Sequence, residues 1–95
     1  MELLTDDQIT AELNESPGWA AESGEITRTF TRRDFSDALL LVGAVAFLAE
    51  EAGHHPDIDI RWNKVTLTLA THSAGGLTAA DFALAKRISA LPGAG

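Results

Sequence analysis

Glu50 to Asp81 reads EEAGHHPDIDIRWNKVTLTLATHSAGGLTAAD and holds a helix end, a hairpin and a helix start in one run. Gly53 is placed to stop the helix, because glycine enters the left-handed conformation of a helix C-terminus without a Cβ penalty, and Pro56 forbids continuation. Ile58, Ile60 and Trp62 alternate with polar residues. Val65, Leu67 and Leu69 alternate with Thr66, Thr68 and Ala70, and Asn63-Lys64 is placed to turn the chain between the two runs. That period of two predicts a hairpin. Thr78-Ala79-Ala80-Asp81 has the form of a capping box. It opens a helix carrying Phe82, Leu84, Ile88 and Leu91, which Pro92-Gly93 stops.

Working outward, Thr5 and Gln8 make a similar start for a helix that ends by Glu15, ahead of Ser16-Pro17-Gly18. Trp19 to Glu22 and Glu25 to Thr31 read as a hairpin around Ser23-Gly24, with Ile26, Arg28 and Phe30 on one face and the threonines on the other. Asp34 and Asp37 open a long helix reaching about Ala52. Phe35, Ala38, Leu39, Val42, Val45, Ala46 and Ala49 form its apolar stripe, and Leu40, Leu41, Phe47 and Leu48 lie off it. The surplus predicts a second buried contact, most simply with another subunit, so that charge at Leu40 or Leu41 should shift the assembly downward. The order α-β-β-α-β-β-α predicts an α+β fold, a four-stranded antiparallel sheet with three helices on one face, in a single domain over residues 1–95. Gly93-Ala94-Gly95 is expected to fray.

Fourteen acidic residues against seven basic ones give a net charge of -7, which argues against a nucleic-acid partner, whose phosphates need clustered Lys and Arg. No cysteine is present, so there is neither a disulfide framework nor a Cys-based zinc site, in keeping with the cytoplasm. Met1 to Asp7 lacks the basic start and apolar core of a secretion signal. The apolar run Ala38 to Ala49 falls well short of the roughly 20 residues that span a bilayer, so no membrane is expected.

His54, His55 and His72 are the chain's three histidines. An imidazole, with an ordinary pKa of about 6.5, accepts or donates a proton at neutral pH. Asp81 completes the capping box, or its carboxylate orients a histidine or contacts a bound ligand, and the structural and functional readings can hold at once. Glu50 and Glu51 sit unfavourably for the dipole at a helix end; Glu51 reads as a solvated surface acid. Trp19 and Trp62 default to the core, although either could flank a flat heteroaromatic ligand, and Trp19 is the one retained. A three-histidine metal site is disfavoured, because the i, i+4 helical ligand pair is missing.

Glu50, His54-His55-Pro56, Trp62-Asn63-Lys64-Val65, Thr71-His72 and Gly76-Leu77-Thr78-x-x-Asp81, in this order and at this spacing, resemble the pterin-4a-carbinolamine dehydratase family, also known as the dimerisation cofactor of a hepatocyte transcription factor. The resemblance runs from Gly18-Trp19 to the end of the last helix. It implies the same α+β architecture, with sheets pairing edge to edge into a homodimer and long helices packing two dimers into a homotetramer. It also implies dehydration of 4a-hydroxytetrahydropterin to quinonoid dihydropterin, a reduced pterin as substrate, and a link to an aromatic amino acid hydroxylase whose cofactor is recycled. Proton transfer suffices for that reaction, without a metal or redox cofactor. His54, His55 and His72 are then the catalytic set, with His55 and His72 as proton acceptor and donor in unassigned order, and His54 binding or substituting for one of them. Asp81, Glu50, Pro56 and Trp19 are the substrate-binding candidates. Ile58 and Ser73 depart from the family pattern, where an aromatic and an acid are common. The same resemblance carries an alternative, a non-catalytic dimerisation or assembly module.

Overall fold

The structure, a computed structural model, describes residues 2–94. Met1 and Gly95, which belong to the secretion-signal and frayed-tail expectations, lie outside the described residues. Helix α1 (Asp6–Asn14) begins as expected: Thr5 N–H donates to Gln8 Oε1 at 2.8 Å, and Gln8 N–H to Thr5 Oγ1 at 3.2 Å. Strands β1 (Ala20–Glu22) and β2 (Glu25–Thr31) form the first hairpin, and α2 (Phe35–Ala52) follows from an Asp34 cap. Strands β3 (Asp57–Arg61) and β4 (Lys64–Leu69) form the second, and α3 (Ala79–Ser89) closes the order.

The four strands make one antiparallel sheet in the order β1-β2-β4-β3. Register decides its faces. Ile26 lies opposite Leu69, Arg28 opposite Leu67 and Phe30 opposite Val65, so one face is apolar. On the other, Thr27 meets Thr68 and Thr29 meets Thr66, their hydroxyls 3.3 and 2.8 Å apart. The apolar face forms the core with Ala38, Leu41, Val45 and Ala49 of α2 and Phe82, Leu84, Ala85 and Ile88 of α3; Ile9 and Leu13 of α1 pack against it. The helices therefore gather on one side. No helix among the described residues is long and apolar enough to cross a membrane.

Arg28 occupies a core-face position yet is only half-buried. Its guanidinium carbon lies 4.3 Å from the centre of the Phe30 ring, and Nη1 donates to Ser89 Oγ at 3.0 Å. Gly18 makes room for it, because a Cβ there would meet Arg28 Nε at 2.7 Å.

Three expectations need correction. The buried stripe of α2 is rotated by about 60° from the expected one, at about 100° per residue. Leu41 is buried, whereas Phe35 and Leu39 are exposed together with Leu40 and Phe47. With nearly every position apolar, spacing alone could not fix which way the helix faces, and charge at Leu41 would damage the core rather than an interface. The second hairpin turns at Trp62-Asn63 rather than Asn63-Lys64: Arg61 pairs with Lys64, and Trp62 takes φ +50°. The chain end does not fray at Gly93-Ala94, since Arg32 Nη1 donates to the Gly93 carbonyl and Ala94 is buried with its N–H on Leu91 O at 3.0 Å.

Leu41→Ala should lower the unfolding free energy by about 2–5 kcal/mol, the usual range for emptying a buried leucine site. A urea titration reads this, and a change within about 0.5 kcal/mol, typical of surface substitutions, would place Leu41 outside the core. A second expectation concerns Asp37. A hydrogen bond from the Arg33 backbone N–H, followed by the Arg32 guanidinium, holds its carboxyl below the usual carboxylate range. Because the folded value is the depressed one, this stabilisation is present above the unfolded value, near pH 4, and is lost as pH falls through the folded one. Asp37→Asn should flatten the acid limb of stability against pH in that window; an unchanged limb would remove Asp37 from it.

Candidate active site

The end of α2 sets the first histidine in place. Gly53 takes φ +64°, and the His54 N–H returns to Ala49 O at 3.1 Å, so the backbone leaves the helix in a fixed direction. The His54 side chain then reaches the start of α3, where Nε2 lies 2.6 Å from Asp81 Oδ1. Asp81 has no exposed surface. Its Oδ2 accepts the Thr78 N–H at 2.9 Å, completing the capping box, and the Thr71 hydroxyl at 2.9 Å. Asp81 thus caps α3 and holds His54 at once.

Hydrogen-bond bookkeeping fixes the tautomer. A carboxylate only accepts, so the bond from His54 requires the proton on Nε2. Nδ1 has no hydrogen-bond partner among the described residues. A neutral His54 therefore presents its lone pair at Nδ1, and its side chain, 17% exposed, remains reachable.

His55 has a carboxylate of its own, with Nε2 2.5 Å from Glu50 Oε2. Both are open to solvent, at 61% and 76% side-chain exposure. The imidazole answers the unfavourable placement of Glu50 at the end of α2. Glu51, one residue on, pairs with Arg87 of α3. Pro56, half-buried, leads the chain into β3.

His72 lies in a single 3₁₀ turn, His72–Ala74, closed where Thr71 bridges Gly76. It is exposed and lines an open depression of about 240 Å³ with Ser23, Gly24, Glu25, Ala70, Gly75 and Gly76. Its side chain has no hydrogen-bond partner among the described residues. Its neighbour Thr71, however, is bound to Asp81, so the segments bearing His54 and His72 meet at one carboxylate. Trp19 belongs to the core: it is 6% exposed, packs edge-on to Phe30 at 6.2 Å between ring centres, and donates its indole N–H to Ser89 Oγ at 3.0 Å. That leaves it little surface to offer a flat ligand. Thr71, quoted in the motif only as the neighbour of His72, is the residue whose place in the site the sequence reading missed. Its signal is parity, because it continues the buried series Val65, Leu67, Leu69 with a polar side chain. Among the described residues no group of three or more His, Asp or Glu is arranged to hold a metal ion.

A family model described as pterin 4 alpha carbinolamine dehydratase matches residues 2–91. Relatives bearing the name pterin-4-alpha-carbinolamine dehydratase include one from Nocardia farcinica, 54% identical over 95% of each chain, and one from Roseiflexus castenholzii, 56% identical over 90% of this chain and 92% of its own. Among solved structures, a transcriptional coactivator/pterin dehydratase from Brucella melitensis superposes with a TM-score of 0.91 at 36% identity, covering 97% of this chain and 98% of that one. A pterin dehydratase-like RuBisCO assembly factor of the alpha-carboxysome superposes with a TM-score of 0.66 at 27% identity, covering 81% and 89%. Matched by that model over nearly its whole described length, and by relatives at more than half identity, this chain belongs to the pterin-4-alpha-carbinolamine dehydratase family.

Proposed function

We propose that this protein dehydrates 4a-hydroxytetrahydropterin to quinonoid dihydropterin, recycling in the cytoplasm the cofactor of an aromatic amino acid hydroxylase. The observation that carries the reading is the His54–Asp81 pair, 2.6 Å long, with Nδ1 of the imidazole left open. His54 accepts the proton of the ring N–H at Nδ1. The nitrogen's electron pair forms the double bond to the adjacent carbon, the C–O bond breaks, and the leaving hydroxyl takes a proton from His55 and departs as water. Asp81 holds the charged imidazole that results, as Glu50 holds His55. His72 binds the pterin from the second segment of the site. This revises the sequence-based roles, in which His54 was the binding or substituting member; a fixed tautomer suits it better to accept a proton.

The exposed residues Phe35, Leu39, Leu40 and Phe47 cover the side of α2 away from its own core, and Ile58 adds apolar surface on edge strand β3. Together they support self-association into a dimer or tetramer. A second functional reading, an assembly module without catalysis, draws on the likeness to the RuBisCO assembly factor.

His54→Ala should lower turnover of the carbinolamine by about 10²- to 10⁴-fold, the range for one well-placed acid or base. The combined His54→Ala, His55→Ala, His72→Ala variant should run at the spontaneous rate, and chelator should leave the wild-type protein active. A triple variant clearly above the spontaneous rate would favour the assembly reading; turnover lost on chelation and restored by zinc would demand a metal. For the assembly state, Leu40→Glu with Phe47→Glu should lower the mass read by light scattering. A wild-type monomer at micromolar concentration would count against self-association.

A further inference from the structure

A capping box uses only one oxygen of its acid, and at an exposed helix start the other faces water. Here Asp81 is fully buried, and both oxygens are engaged by three donors from three segments. The donor that neither the capping box nor the histidine explains is Thr71, whose hydroxyl is 2.9 Å from Oδ2 and 2.8 Å from Thr78 Oγ1. The hydroxyl of Thr71 has one proton, and its bond to the carboxylate uses it. The 2.8 Å contact with Thr78 must then be donated by Thr78, which itself accepts the Ala80 N–H at 3.3 Å. The donors thus run one way, from Ala80 through Thr78 and Thr71 into Asp81, and His54 Nε2–H arrives from the other side.

We propose that Thr71 is a positioning residue: its hydroxyl, polarised by Thr78, fixes the rotation of the Asp81 carboxylate and so holds His54 as the Nε2–H tautomer with Nδ1 free. Thr71 touches neither substrate nor reacting atoms; it acts through Asp81. Because it is also the residue before His72, the same hydroxyl ties the His72 turn to the orientation of His54. The catalytic part of this inference rests on the dehydratase reading, while the tautomer part stands on the hydrogen bonds alone.

The test replaces Thr71 with valine, which keeps the branched shape and loses the hydroxyl, and with serine, which restores it. The imidazole ¹⁵N shifts of His54, read by long-range proton–nitrogen correlation without substrate, should show one neutral tautomer protonated on Nε2 in the wild-type protein and in Thr71→Ser. In Thr71→Val they should show exchange between two tautomers. Turnover of the carbinolamine should fall in Thr71→Val by about tenfold in kcat with KM little changed, the scale of one hydrogen bond to a charged acceptor, and return in Thr71→Ser. If Thr71→Val does not fold, Thr71→Ala, which overfills nothing, gives the same readout. A wild-type ring signature in the hydroxyl-free variant overturns the proposal whatever kcat does. A wild-type protein without dehydratase activity would sink the functional reading instead, and the ring signature would still decide the role of Thr71.

Discussion

Burying a carboxylate without partners is among the costlier things a small core can do, and the arrangement around Asp81 is governed by the need to avoid it. One side chain with no exposed surface gathers a helix N-terminus, the segment just after β4 and the loop after the cap of α2. Each contributes a donor. The donors come from three separate segments, so the arrangement forms only when the second hairpin and the end of α2 have docked against the start of α3. Helix capping and ring placement therefore share one carboxylate: Oδ2 satisfies the start of α3, and Oδ1 holds the ring of His54.

The two carboxylate–imidazole pairs differ in their surroundings more than in their chemistry. Asp81 and His54 are enclosed, so their bond is little screened and their geometry is tightly determined. Glu50 and His55 stand in solvent, where a pair of this kind contributes little to stability and its side chains can move. A reaction that takes a proton from one atom and delivers one to a departing hydroxyl can use both kinds. In the proposed dehydration the acceptor benefits from a fixed tautomer, and the donor benefits from exchange with water between turnovers.

Much of the fold was legible because it is locally determined. Thr5 with Gln8, Thr78 with Asp81, and Gly53 ahead of Pro56 mark helix ends through bonds within a few residues, and the alternation in β2 and β4 fixed which side chains share a face. The facing of α2 was not legible. Almost every residue from Ala38 to Ala49 is apolar, so periodicity had no contrast from which to set a phase, and only docking on the sheet selected Leu41 over Phe35. The turn at Trp62 was hidden for a different reason. A positive φ there is paid for by a tryptophan, where turn chemistry favours glycine or asparagine.

The candidate residues could be named from the sequence, but their pairing could not. Sequence order named the histidines and their acids, yet which acid meets which histidine depends on where the α2 terminus lies against α3, a relation between segments that spacing does not encode. Once the pairing is known, the number of protons settles the rest. Asp81 can only accept, Thr71 has one proton to give, and the backbone N–H of Thr78 cannot be reversed, so the network has a single direction. That direction leaves Nδ1 of His54 as the ring atom without a partner among the described residues, and in the proposed dehydration a substrate proton is the complement its lone pair lacks.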